Sequence, residues 1–212
     1  MSDAESPVVA GGRADSLAEV LRRLEENSPP AGYAAMIDAL RSLLDDVTGA
    51  RPTAGLVATA TARFEDLARE FGACRVGEDN QLSGRIGDVP GRGQVLLPPI
   101  VVTEQTTERI TGQLTFGRFY LGGNSAAHGG AISLAFDELM GRLANAGREP
   151  SRTAYLQVSF RSITPMEQPL TIEVRTASVD GRKSILRGEI RDGERICAEA
   201  EALFVALLPG QP

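Results

Sequence analysis

The chain has 212 residues, enough for one ordinary domain with an appendage, and at that size it buries roughly 70% of the surface its unfolded form exposes. Its 22 Lys and Arg against 28 Asp and Glu leave a net charge of -6, and Lys183 is the only lysine, so no cationic field exists to hold a nucleic-acid backbone. With 42% hydrophobic residues and no apolar run near the ~20 residues that cross a bilayer, the sequence reads as globular and without a membrane span. The acidic opening MSDAESPVVAGGRADS has no basic start followed by an apolar core, so no secretory signal is read and a cytoplasmic location is expected. Cys74 and Cys197 lie far apart and His128 is the one histidine, which argues against a disulfide framework or a cysteine-rich zinc site. No metal or cofactor is implied.

Residues 1 to about 14 are small, polar and Gly/Pro-containing, a frayed terminus. Ser16 then caps a helix with Leu17, Val20, Leu21 and Leu24 on one face, stopped by Pro29 and Pro30. A second helix runs from about Gly32 with a stripe of Met36, Ile37, Leu40, Leu43 and Leu44, and a third covers about Thr53 to Phe71. Residues 77–93 hold five glycines and a proline, the signature of a linker. Residues 1–95 are thus expected to form a helical region with its linker, and 96–212 a second domain.

After the linker the apolar period falls from about 3.6 to 2. VVTEQTTERITGQLTFG reads as one or two strands. One helix interrupts, at about Gly130 to Asn145, apolar nearly all round until Arg142; a helix of that kind is normally buried. From Thr153 onward Thr164-Pro165, Asp180-Gly181 and Asp192-Gly193 punctuate four strand-like runs, and the two Asp-Gly pairs are strong hairpin signals. Ile196, Ala198, Ala200, Ala202 and Phe204 should share one face of the last strand, letting the helix approach closely. The expected class is α+β, an antiparallel sheet curled around one helix.

Asp137 and Glu138 sit inside that helix, about 100° apart around the axis, so one of them should point into a site. The other reading is an exit into solvent or an ion pair with an arginine such as Arg142. His128 precedes Gly129 and Gly130 at the helix start, where exposed N–H groups at the positive end of the dipole can stabilise an oxyanion; simple clearance for a tight turn is the alternative. Asp137 lies nine residues beyond His128, roughly 13 Å along a helix. One subunit cannot bring both to a single reacting atom, so a two-fold dimer with antiparallel helices is expected.

HGGAISLAFDELMG, TAYLQVSFRSITP and VDGRKSILRGEIRDGERICAEAEALF resemble the hotdog-fold acyl-CoA thioesterases, in the PaaI-like, THEM-type branch, over about residues 96–208. The resemblance implies a hotdog fold carrying an N-terminal helical extension, hydrolysis of acyl-CoA thioesters, and a homodimer or dimer of dimers. It also implies Asp137 as nucleophile or general base and Gly129 as oxyanion donor from the opposing subunit. His128 would orient the thioester or water, and Thr153 would sit beside Asp137. The family often has Asn or Gln about six residues before the histidine; here that position is Gly122, and Asn124 is the nearest amide. Arg161, Arg182, Lys183 and Arg187 are candidates for the CoA phosphates, though solvated strand positions explain them equally. The competing functions are a non-catalytic acyl-CoA sensor, suggested by the helical first half, and a dehydratase or hydratase on the same fold.

Overall fold

The computed structural model describes residues 28–87, 89–208 and 210–211. The chain divides into Met1–Ala31 and Gly32–Pro212, and the elements below belong to the second of these. The helix expected from Ser16, with Leu17, Val20, Leu21 and Leu24, lies outside the described residues.

Helices α1 (Tyr33–Gly49) and α2 (Ala54–Ala73) come first, and Thr53 caps the second by accepting the Leu56 N–H at 3.3 Å. Polar contacts pin α1 to the rest of the unit. The Arg41 guanidinium, largely buried, donates to the carbonyls of Pro90 and Gln94 at 2.8 and 3.1 Å, and the Asp45 carboxylate accepts the Phe119 N–H at 2.7 Å. In α1 only Ile37 is fully buried, and in α2 nothing is.

The sheet strands are β1 (Val101–Gln105), β2 (Arg109–Leu114), β5 (Ser151–Phe160), β6 (Leu170–Asp180), β7 (Lys183–Asp192) and β8 (Arg195–Ala206); β3 (Leu121–Gly123) and β4 (Ala126–Ala127) form a small separate hairpin. The large sheet is antiparallel throughout in the order β1-β2-β6-β7-β8-β5, so β1 and β5 are its edges. Both Asp-Gly turns fall where the dipeptides predict, with Gly181 and Gly193 at φ 54° and 57°, a conformation that favours glycine.

Helix α3 (Gly129–Ala144) lies across the sheet, and every residue from Ala131 to Ala144 is buried or half-buried. Phe136, Leu139, Met140 and Leu143 meet Ile110, Ile172, Val174, Leu186 and Ile190 in one core. Small residues make the close approach possible: Ala198, Ala200 and Ala202 face the helix side of β8, and Gly188 lies under Met140. One expectation needs correction. The inward row runs from Ala198 to Phe204 but not back to Ile196, because the β7–β8 register shifts between Ile190 and Arg191. Cys197 is the extra residue, and it and Ala198 are both buried while Ile196 is only half-buried.

Tyr120 closes one end of the core, its phenol donating to the carbonyls of Val95 and Leu96 at 3.2 Å each. Burial pushes its ionisation up to about 12 from the ordinary 10.0. A proton held more tightly in the folded chain gives stability that is present below the unfolded value and is lost as pH rises towards the folded one. In a near-ultraviolet absorbance titration, one phenol should ionise near pH 12, and Tyr120→Phe should remove that step. A second expectation concerns Gly188, where a Cβ would stand 2.8 Å from the Glu173 carbonyl oxygen and 3.1 Å from Met140 Cε. Gly188→Ala should destabilise by about 1–3 kcal/mol in chemical denaturation. Gly77→Ala, which meets nothing within 4 Å, should be close to neutral.

Candidate active site

Helix α3 carries two chemically distinct ends. At its start His128 is the N-cap: the Gly130 N–H donates to His128 Nδ1 at 2.9 Å, and the His128 N–H donates to the Tyr120 carbonyl at 2.8 Å. An imidazole that accepts at Nδ1 carries its proton on Nε2, so the outer nitrogen is a donor. Gly130 is thereby spent on the cap, whereas the Gly129 N–H has no acceptor among the described residues. It is an orphan donor at the positive end of a buried helix. A Cβ at residue 129 would stand 3.0 Å from the Phe160 ring, so a side chain there would press on that exposed ring. Ala126, Ala127, Gly129, Ile132, Phe160, Ile163 and Thr164 line a cavity of about 440 Å³ at this end.

Two turns further along, the two carboxylates diverge as their 100° separation requires. Glu138 is largely buried and forms a two-pronged ion pair with Arg92 of the preceding loop, both contacts at 2.7 Å. Asp137 is half-buried, and its Oδ1 accepts the Thr153 hydroxyl at 3.0 Å. Asp137, Thr153, Arg92, Arg142, Arg152 and Phe204 belong to the lining of a second cavity, about 590 Å³ in volume. Arg142, named from the sequence as an ion-pair candidate, has no such partner among the described residues, and Arg92 takes that place.

Of the five residues singled out in the sequence, Asp137 and Thr153 meet at one cavity, while Gly129, next to the capping His128, lines another of the same protomer. Asn124 joins neither pair. With Ser125 it turns the β3–β4 hairpin in the left-handed conformation, at φ 52° and 58°, and its side chain makes no hydrogen bond among the described residues. At Gly122 a Cβ would lie 3.0 Å from His128 Cα, so an amide side chain there would press on the His128 backbone. Of the CoA-phosphate candidates, Arg161 is paired with Glu199 at 2.6 Å, Arg187 with Glu201 at 2.9 Å, and Arg182 donates to the Ala206 carbonyl. The sequence reading missed Arg92 and Phe160. Arg92 sits in a Gly/Pro-rich stretch that carries no periodicity, while Phe160 was visible as the aromatic end of a strand.

No family model matches the chain, and no curated protein matches it. Among solved structures, a crystal structure of a thioesterase superfamily protein is similar over 84% of this chain and 96% of that one, with 26% identity and a TM-score of 0.71. The chain has the hotdog fold. The likeness takes in more than the sheet and central helix, since 84% of 212 residues exceeds the span from β1 to the end. Over about half of its length the hotdog chain is also similar to a Streptococcus mutans UA159 protein bound to acetyl CoA. That protein is 13% identical, with 51% of this chain and 88% of the other covered and a TM-score of 0.49. A hypothetical thioesterase protein with coenzyme A from Streptococcus pneumoniae TIGR4 is 14% identical, with 50% and 86% covered and a TM-score of 0.48. Among the described residues, no helix is long and apolar enough to cross a membrane.

The capping geometry gives a direct test. His128→Ala removes the acceptor for the Gly130 N–H and should cost about 1 kcal/mol in denaturant unfolding, whereas His128→Asn, a strong N-cap, should retain most of that stability.

Proposed function

We propose that the protein hydrolyses acyl-CoA thioesters, with each active site assembled from two copies of the chain. The observation that carries this reading is the half-buried Asp137 carboxylate, held by Thr153 on a helix whose own start offers the unused Gly129 N–H. The likeness to a thioesterase superfamily protein over most of both chains supports the reaction class. Asp137 and the α3 start line different cavities of one protomer. A partner helix running antiparallel would bring the missing half to each, giving two equivalent sites about a two-fold axis. The free edge β5, with Tyr155, Phe160 and Ile163 exposed beside it, is the surface suited to that contact.

In this arrangement Thr153 fixes Oδ1 of Asp137, and Oδ2 faces the substrate. Asp137 takes a proton from water as the water oxygen bonds to the thioester carbon, and the carbonyl oxygen gains negative charge against the partner's Gly129 N–H. The C–S bond then breaks and the proton passes to the departing thiolate, leaving free acid and CoA. Attack by Asp137 itself, followed by hydrolysis of the mixed anhydride, reaches the same products. A thiolate is a good leaving group, so the site needs no strong acid.

Asp137→Asn should lower kcat for thiol release by about 10²-fold or more with KM little changed; undiminished turnover would overturn the assignment. A single turnover in heavy-oxygen water separates the two routes, because label enters the Asp137 carboxylate only through the anhydride. Shared sites predict complementation. Mixing two inactive variants, Asp137→Asn and Gly129→Val, and allowing subunits to exchange should restore about a quarter of wild-type activity, since half the dimers are mixed and each holds one intact site. Thermal stabilisation by acyl-CoA without any thiol release would favour the sensor instead.

A further inference from the structure

Helix α2 is 20 residues long and has no buried residue. In proteins most helical stability comes from packing of an amphipathic face and not from propensity alone. Its Leu56, Val57, Phe64, Leu67 and Phe71 are between 43% and 58% exposed. Val57, Ala60, Phe64, Leu67, Phe71 and the exposed Cys74 at the C-cap follow alternating steps of three and four, the a and d seam of a heptad. Glu65, Asp66 and Arg69 lie away from the seam, the last two joined to each other in an ion pair. Beside the seam the flanks are unequal. Arg63 and Glu70 occupy successive g positions, whereas Thr61 and Ala68 hold the e positions.

We propose that α2 is an interaction surface for α2 of a second copy, the two running antiparallel. Heptad geometry then sets a residues against d residues. Phe64 packs on the other copy's Leu67, Ala60 on its Phe71 and Val57 on its Cys74, and the two-fold axis repeats each contact. Ala60 thus faces Phe71, small against large, as a tight seam requires. The same register puts Arg63 beside the second copy's Glu70, and Glu70 beside its Arg63. A parallel pair is disfavoured on the same residues, because it stacks Ala60 on Ala60 and sets Arg63 beside the uncharged Ala68. The stripe is therefore self-complementary in shape and in charge, which singles out another copy of this chain as its occupant. This contact is separate from the one that would complete the active site, and it does not depend on the chemistry proposed there.

Sedimentation equilibrium of the full chain tests the pairing through a charge cycle. Arg63→Glu and Glu70→Arg should each weaken self-association by about tenfold at low ionic strength, turning attraction into repulsion; the double variant should restore it. Neither position lines the cavity beside Asp137, so thiol release serves as a check that the fold is kept. Val57→Cys should give under mild oxidation a disulfide between position 57 of one copy and Cys74 of the other, identified by peptide mapping. Intramolecular closure is excluded, since 17 residues of helix separate the two positions by roughly 25 Å. Association unchanged in both single reversals, or no recovery in the double variant, would overturn the proposal and assign the stripe to another occupant, such as the chain's own residues 1–27. A cross-link mapping to Cys74 with Cys74 would overturn the antiparallel register.

Discussion

Burial of α3 is the constraint on which the other features depend. A helix with Phe136, Leu139, Met140 and Leu143 on one side and Ile132 and Leu134 on others cannot lie on a flat surface without leaving apolar groups in water. Curling an antiparallel sheet around it solves that problem, but only if the strands let the helix come close. Gly188 and the alanines of β8 provide the space, and the clash that a Cβ at residue 188 would make shows how little is left over.

The same burial creates the polar features of interest. A helix in an apolar environment has to satisfy its first N–H groups locally, and His128 does so for Gly130, which leaves Gly129 as the orphan. Two carboxylates in the middle of such a helix each need a partner or an opening. Glu138 is answered by Arg92, from a loop that α1 in turn holds in place through Arg41. Among the described residues Asp137 has only the Thr153 hydroxyl and a cavity beside it. The helical extension thus contributes to the surroundings of Asp137 indirectly, by fixing the loop that neutralises its neighbour.

Helices α1 and α2 have similar lengths and similar apolar stripes but different situations. The first is held by polar contacts through Arg41 and Asp45, and its Ile37 is buried. The second buries no residue, and Leu56, Val57, Phe64, Leu67 and Phe71 of its apolar stripe are exposed. Amphipathicity says that a face wants a partner but does not name it; in α2 the flanking charges narrow the choice.

Much of this architecture was legible in the residues. Periodicity marked α1, α2 and α3, the Asp-Gly pairs marked both turns of the meander, and the nearly all-round apolar character of α3 implied a wrapped helix. These signals are local: each depends on neighbours within a turn or a hairpin. The Asp137–Thr153 pairing was reached through a family resemblance, and spacing alone assigned no partner to either carboxylate. Tertiary structure decided the rest. Arg92 reaches Glu138 across 46 residues of chain, and nothing in a glycine-rich loop announces that reach. The bulge at Cys197 reverses the side-chain alternation of β8 because its partner strand shifts register, which no single strand can reveal. Gly122 is crowded because His128 folds back against it, a contact made by a hairpin and not by sequence order. What a residue does within one turn follows from its own chain; which distant group answers its charge depends on packing.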